Sequence, residues 1–220
     1  MQDAFGHCEA RVREADRSLF LSALFAPPER RGALYALYAF AAELASIRDL
    51  IKEPMAGEIR LQWWREALAG ERPGEAQGHP VAAALIGTIE KYDLPLAPFE
   101  ALIEARRFDF SGEAMQGIEE VERYARDTVS TVVELAARML GGDAAALDFA
   151  GPAGVSMGLV GLLRRFPHDV RRGRLFLPAD TLARHTLSSQ DLFAGQSSDG
   201  LIAVLADMRE TAARHYREAR

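Results

Sequence analysis

Five arginines lie within eleven residues of an otherwise acidic chain. They are Arg164, Arg165, Arg171, Arg172 and Arg174, and Asp169 is the one acid among them. Guanidinium groups form paired hydrogen bonds with phosphate oxygens, so this cluster is typical of an anion site. Arginines at a helix C-terminus also complement the helix dipole, which explains Arg164 and Arg165 but not the three that follow Pro167. We therefore predict that the segment binds a diphosphate or an anionic lipid, with an acidic protein surface as the alternative partner.

A pair of acids ends a long apolar helix nearer the start of the chain. Asp49 and Glu53 are spaced i,i+4, and two carboxylates at this spacing share a helix face and can converge on one cation. Glu53 immediately precedes Pro54 at a predicted helix end, which favours solvated surface acids over a metal site.

The elements that position these residues are predicted to be helices. Periodicity of 3.6 residues dominates and no strand alternation or repeat is evident, so we predict one all-α domain over residues 1–220. The predicted helices cover residues 10–25, 28–52, 57–69, 81–92, 97–110, 118–140, 143–163, 179–185 and 189–194, and a last one starts near residue 199. Turns are expected at 70–80, and a β-prone segment at 175–178. Because the last helix is still regular at Arg220, we expect one or two further helices beyond it.

Composition limits the classes of function. A net charge of −6 excludes a general nucleic-acid binder, and the lone Cys8 fits a reducing compartment. The N-terminus lacks the apolar core of a signal peptide. The apolar runs at 32–42 and 151–163 are too short to span a bilayer, so we expect them to be buried in a helical core. We expect a cytoplasmic protein, with peripheral contact to the inner membrane as the alternative location.

Some polar and aromatic residues have a simpler interpretation than ligand binding. Trp63 and Trp64 are adjacent and point about 100° apart on a helix, so one at most would face a cavity and core packing is favoured. Arg106, Arg107 and Asp109 are expected to form salt bridges between helices. The histidines, including His79, show no metal-ligand spacing.

Several segments resemble the squalene/phytoene synthase family, whose members join prenyl diphosphates in an all-α bundle around a central apolar cavity. They include ADRSLFLSALFAPPERRGALYALYAF at 15–40, IRLQWWREAL at 59–68, LIEARRFDF at 102–110, ERYARDTVSTVVELAARMLG at 122–141 and RRGRLFLPAD at 171–180. ELASIRD, EPMAGEIRLQWWREAL and LRRFPHDVRRGRLFLPAD are similar to the branch of the mitochondrial complex I assembly factor, whose aspartate motifs are eroded.

The resemblance places remnants of two magnesium motifs in this chain. Asp49 matches the last acid of the first motif, while Ala45 and Ser46 stand at its earlier acidic positions. Asp169 matches the last acid of the second motif, and Arg165 replaces the first. Loss of one carboxylate from each pair is expected to weaken Mg²⁺ binding severely. The substrate-binding residues that we infer are Tyr38, Arg48, Arg165, Arg171 and Arg174, and we assign no catalytic residue.

Two functions follow from the resemblance. The favoured one is a non-catalytic protein that acts in assembly of respiratory complex I and contacts complex I subunits, a prenyl diphosphate or an anionic lipid. The alternative is an active prenyltransferase that condenses two farnesyl or geranylgeranyl diphosphates head to head and needs Mg²⁺.

Overall fold

The computed structural model describes residues 2–51, 53–195 and 197–220. Helices make up most of these residues and none of them is in a β-strand, which confirms the all-α prediction. The α-helices are α1 Gln2–Ala15, α2 Arg17–Ala23, α3 Pro28–Leu50, α4 Pro54–Leu68, α5 Pro73–Gly78, α6 Pro80–Tyr92, α7 Ala97–Ala105, α8 Ile118–Ala125, α9 Thr131–Met139, α10 Ala144–Arg171, α11 Ala179–Arg184, α12 Ser189–Phe193 and α13 Asp199–Glu218. A 3₁₀ helix at Arg106–Phe110 follows α7, and a π turn at Arg126–Ser130 joins α8 to α9.

The first half of the chain departs from the predicted boundaries in three places. The helix predicted at 10–25 starts earlier and is interrupted at Asp16, whose carboxylate caps α2 by accepting from the backbone N–H groups of Ser18 and Leu19. Pro54 begins α4 as well as following α3, because a proline at the first helical position needs no N–H. The predicted turn region contains the short helix α5, which also starts at a proline. Lys52, the predicted end of the second helix, lies outside the described residues.

The chain divides into two compact units, which are described separately. Unit 1 comprises residues 1–110 and 135–143, and unit 2 comprises residues 111–134 and 144–220. The prediction of one domain over residues 1–220, and of an apolar cavity at its centre, stays a prediction.

The core of unit 1 is built around α3, which packs against α1 and α6. Its apolar stripe, with Leu34, Leu37 and Leu44, is buried as the spacing of three and four predicted. Phe40 lies 4.9 Å from the Trp64 ring of α4 and 5.9 Å from the Phe99 ring of α7, measured between ring centroids. These contacts fix α3, and with it the polar residues at its C-terminal end.

The core of unit 2 is built around α10, which packs against α13, α8 and the π turn. Two glycines let the backbones approach closely. A Cβ at Gly154 would lie 2.3 Å from Ser130 Cα, and one at Gly158 would lie 2.8 Å from Ala125 Cβ. The Ser130 hydroxyl also donates to the Gly151 carbonyl at 2.7 Å. Close packing at these small residues therefore sets the position of α10.

The end of α10 differs from the prediction. We expected the helix to end near residue 163, but it continues through Pro167 to Arg171 and carries most of the arginine cluster. Gly173 lies just beyond the end of the helix and has a φ of +70°. There the N–H of Arg174 bonds to the Asp169 carbonyl at 2.9 Å and the N–H of Gly173 bonds to the Val170 carbonyl at 3.0 Å. This is a Schellman motif, which explains the glycine between two arginines. The β-prone segment that follows forms no strand.

Among the described helices, α10 is the one whose length and composition would allow it to cross a membrane. A core helix of a soluble protein meets the same criterion, so the finding is weak evidence for a membrane span. The apolar run at 151–163 was judged too short to span a bilayer, but the helix that contains it has 28 residues.

Candidate functional site

The C-terminal half of α3 carries the first group of predicted site residues. Tyr38, Ala45 and Asp49 are spaced by seven and four residues, so they lie on one face of the helix, and all three are half-buried. Burial raises the pKa of the Tyr38 hydroxyl, and a hydrogen bond with the Ser22 side chain partly offsets this. This face therefore presents one phenol and one carboxylate at its two ends.

Arg48 points away from that face into the core of unit 1. It is 4% exposed, and its Nη1 lies 3.7 Å from Asp109 Oδ1. The same carboxylate receives Arg106 Nη1 at 3.4 Å on Oδ2. The prediction of interhelical salt bridges is confirmed for Arg107, which pairs with Glu58 of α4, and for Asp109, which pairs with Arg48 of α3, whereas the Arg106–Asp109 pair lies within one 3₁₀ helix. The predicted contact of Arg48 with a diphosphate is untested, and would compete with its buried pair to Asp109.

The second motif lies on the last turns of α10. Arg165 and Asp169 are four residues apart, and Arg165 Nη2 lies 3.4 Å from Asp169 Oδ1. The Asp169 side chain is 3% exposed and the Arg165 side chain 40%. A guanidinium is therefore held beside the one carboxylate that remains from this motif. The other oxygen, Asp169 Oδ2, is buried and accepts no hydrogen bond within the part of the chain that the structure describes.

The remaining arginines of the cluster lie at the end of α10. Arg171 is exposed and its Nε donates to the Pro167 carbonyl, one turn back, at 2.9 Å. Arg164 and Arg172 are also exposed, and Arg174 is half-buried. Together they place several positive charges around the C-terminus of one helix, where the helix dipole also favours cations.

The two units thus divide the predicted site residues between them. Tyr38, Arg48 and Asp49 belong to unit 1, whereas Arg165, Asp169, Arg171 and Arg174 belong to unit 2. Within unit 2, Arg165 and Asp169 are in contact. Within unit 1, Tyr38 and Asp49 share a helix face while Arg48 lies on another.

A polar cluster in unit 1 that was not predicted from the sequence contains Glu43 and His79. Glu43 Oε2 lies 3.6 Å from His79 Nε2, and burial raises the pKa of the Glu43 carboxyl to about 7. Both residues line a cleft together with Trp63 and Trp64. Of the two tryptophans, Trp64 is 4% exposed and packs against Phe40, which confirms core packing for it, whereas Trp63 is half-buried. A glutamate within the apolar run YAFAAELA was the available signal.

The chain has relatives among known proteins. The family model for squalene/phytoene synthase matches residues 12–220. The chain is 30% identical over 215 residues to complex I assembly factor 6 of Bos taurus and 28% identical to that of Homo sapiens, covering 97% of this chain. It spans 65% of the length of these relatives. It is also 27% identical over 231 residues to a 15-cis-phytoene synthase from Synechocystis, covering 99% of this chain and 68% of that protein.

Solved structures share the fold. A dehydrosqualene synthase superposes with a TM-score of 0.84 at 23% identity, over 99% of this chain and 76% of that one. A squalene synthase from Alicyclobacillus acidocaldarius superposes with a TM-score of 0.79 at 23% identity, over 99% and 82%. Since the family match covers nearly the whole chain and these structures have the same helical architecture, the protein belongs to the squalene/phytoene synthase family.

Proposed function

We propose that this chain is a non-catalytic member of its family that acts in the assembly of respiratory complex I and binds an anionic lipid or prenyl diphosphate through its arginines. The observation that carries this proposal is the Arg165–Asp169 pair. Where a synthase motif needs two carboxylates around a cation, this helix supplies one carboxylate and its own positive charge.

The donor set in this chain does not fit magnesium. Mg²⁺ binds through carboxylates in near-octahedral geometry and is repelled by a nearby guanidinium. α10 offers Asp169 beside Arg165, and α3 offers Asp49 with Ala45 one turn earlier. Within either unit, no three acidic, histidine or cysteine side chains among the described residues are grouped closely enough to hold a metal.

The relatives support a role in the assembly of respiratory complex I. The proteins with 28–30% identity over 97% of this chain are complex I assembly factors. Assembly of a membrane complex gives a reason for a protein of this fold to keep an arginine cluster after losing metal ligands. Arg171 and Arg174 would contact phosphate oxygens, and Tyr38 would line the apolar part of the binding site. This role would place the protein in the cytoplasm or at the inner membrane surface.

A second candidate function is head-to-head condensation of two prenyl diphosphates. The buried and unsatisfied Asp169 Oδ2 favours it, because a buried carboxylate oxygen without a donor costs about 1–3 kcal/mol and a cation would satisfy it. Phytoene synthases are also among the relatives. In this case Asp49 and Asp169 would be the metal ligands and the arginines would hold diphosphate.

Product analysis separates the two functions. The purified protein would be given farnesyl or geranylgeranyl diphosphate with Mg²⁺ and a nicotinamide reductant, and lipid extracts would be read by mass spectrometry. We expect no squalene, phytoene or cyclopropyl precursor. Formation of any of these, abolished by Asp169→Asn, would overturn the non-catalytic proposal.

The assembly role is tested in cells that lack the gene. We expect loss of assembled complex I on native gels, and rescue by both the wild-type protein and Asp169→Asn, since the latter cannot support catalysis. Normal complex I in the deletion strain would refute the assembly role. Rescue by wild type alone would point back to the enzyme.

A further inference from the structure

A cleft of about 370 Å³ lies in unit 1, between α1, α3, α4 and the start of α6. On α3 its lining residues are Glu43, Ser46, Ile47 and Leu50, and Tyr38, Ala45 and Asp49 are not among them. On a helix, Ile47 points about 160° away from Asp49, whereas Ser46 points about 60° away. The cleft therefore lies mainly on the side of α3 opposite Asp49 and reaches the remnant motif at Ser46. Its volume falls in the lower part of the range of small-molecule sites, which is about 300–1,000 Å³.

One side of the cleft is aromatic and apolar. Trp63 and Trp64 meet edge to face with ring centroids 5.1 Å apart, and their rings lie 5.0 and 5.3 Å from His79. Leu50 continues this wall and is 65% exposed. Exposed apolar surface within a concave site is what the apolar part of a ligand would cover.

The cleft also carries positive charge, from Arg11, which lowers the pKa of the nearby Glu43 carboxyl, and from Arg60, which lies one turn before the two tryptophans on α4. Elsewhere in unit 1, Arg65 pairs with Glu104 and Arg72 pairs with Glu66. Arg11 and Arg60 both line the cleft, and neither forms a salt bridge to any residue in the ranges 2–51, 53–195 and 197–220. In a chain with a net charge of −6, two such arginines beside one cleft indicate an anionic ligand.

Glu43 and His79 also line the cleft, and their protonation states contribute to its charge. His79 Nδ1 accepts the backbone N–H of Ala82 at 3.3 Å, so the neutral ring carries its proton on Nε2, toward Glu43. Burial lowers the pKa of His79, so it is neutral at pH 7. Glu43 is the one carboxylate that lines the cleft, and its pKa of about 7 leaves it partly protonated. At neutral pH the two arginines therefore dominate the charge of the cleft.

We propose that this cleft binds an amphipathic anion, in which a carboxylate or phosphate group contacts Arg11 and Arg60 and an apolar body packs on Trp63 and Leu50, in front of the buried Trp64 ring. A simple inorganic anion would leave the aromatic wall uncovered, and a cation would meet the two arginines. The site does not depend on the Arg165–Asp169 end of α10, so it can exist whether the protein is an enzyme or an assembly factor.

Binding of octanoate, which stays ionised over this range, should become stronger as the pH falls through 7. The groups near Glu43 are Cys8 and Arg11 of α1, Arg60 of α4 and His79, which precedes α6, and His7 of α1 lies near His79. The Cys8 thiol has a pKa of about 12 and stays neutral. Glu43 is thus the group whose negative charge disappears between pH 8 and pH 6, and its protonation removes repulsion of a bound anion.

The chain offers a direct probe, because its only two tryptophans both line this cleft. Titration with octyl phosphate or octanoate should change the intrinsic tryptophan fluorescence in a saturable manner. Arg60→Gln should weaken binding about tenfold, the effect of losing one charge-assisted hydrogen bond. Arg65→Gln is the matched control on the same helix, since Arg65 pairs with Glu104 and does not line the cleft.

Two further ligands test separately the need for an apolar body and for a negative charge. We expect inorganic phosphate at equal ionic strength and octyltrimethylammonium to bind at least tenfold more weakly than octyl phosphate, by loss of the apolar body and of the anion respectively. We expect Glu43→Gln to keep the low-pH affinity at pH 8. An equal response to phosphate or to the cation, or unchanged affinity in Arg60→Gln, would overturn the proposal. Folding of each variant would be verified by circular dichroism.

Discussion

Two residues, Ala45 and Arg165, stand where the family resemblance predicts acidic residues of two magnesium motifs. Each stands four residues before an aspartate on the same helix, Asp49 on α3 and Asp169 on α10. The structure adds that Arg165 contacts Asp169 directly, so its guanidinium lies against the remaining carboxylate as well as at the position of the first acid.

Restoring a carboxylate at positions 45 and 165 tests whether Ala45 and Arg165 prevent Mg²⁺ binding. Ala45→Asp with Arg165→Asp would create an i,i+4 carboxylate pair on each helix, so we expect binding of a farnesyl diphosphate thioanalogue to become Mg²⁺-dependent. Calorimetry with and without Mg²⁺ measures this. The isosteric pair Ala45→Asn with Arg165→Asn is the control, and it should show no metal dependence. If the folded variant with both aspartates also shows no Mg²⁺ dependence, the binding site differs from that of a synthase in more than its metal-ligating side chains.

At the scale of elements, close packing of α10 against the π turn holds the second motif in place. Gly154→Ala would put a Cβ 2.3 Å from the Ser130 backbone, so we expect the free energy of unfolding to fall by about 1–3 kcal/mol. Gly161→Ala on the same helix is the control, because a Cβ there meets no described atom within 4 Å, and alanine should stabilise the helix by up to about 1 kcal/mol. Urea unfolding measures both. Equal effects of the two substitutions would contradict the packing argument.

The elements also show which features of the fold were predictable. The long apolar stripe of α3 was evident in the sequence, and an N-cap was expected at Ser188 or Ser189; the structure has it at Ser188, whose hydroxyl accepts from Asp191 N–H. The end of α10 was not evident, since the predicted helix stops at residue 163 whereas the observed one continues through Pro167 to Arg171. Tertiary packing of a long helix can outweigh a lost hydrogen bond. For the site, motif positions were predictable, but the buried pair of Arg48 with Asp109 depends on contacts between elements that are distant in sequence.

At the scale of the whole molecule, Glu43 should make stability depend on pH. Its folded-state pKa is raised from 4.5 to about 7 by burial, so the folded state holds this proton more tightly than the unfolded one. The resulting contribution to the free energy of unfolding is fully present below pH 4.5 and is lost as the pH rises toward 7.

Comparing Glu43→Gln with wild type isolates that contribution. We expect the variant to be more stable than wild type by about 2 kcal/mol at pH 8, with a smaller difference at pH 5. Urea denaturation at the two pH values measures the difference. A variant that is equally stable at pH 8 would show that the Glu43 carboxylate is better solvated than its burial indicates.

The Arg165–Asp169 contact has a consequence for how this end of α10 responds to its surroundings. A charge carried on the same helix cannot dissociate, be diluted or be removed by a chelator. Arginine also stays protonated throughout the range of pH in which proteins fold. The charge balance at this helix end is therefore the same in a cell compartment rich in free divalent ions as in one depleted of them.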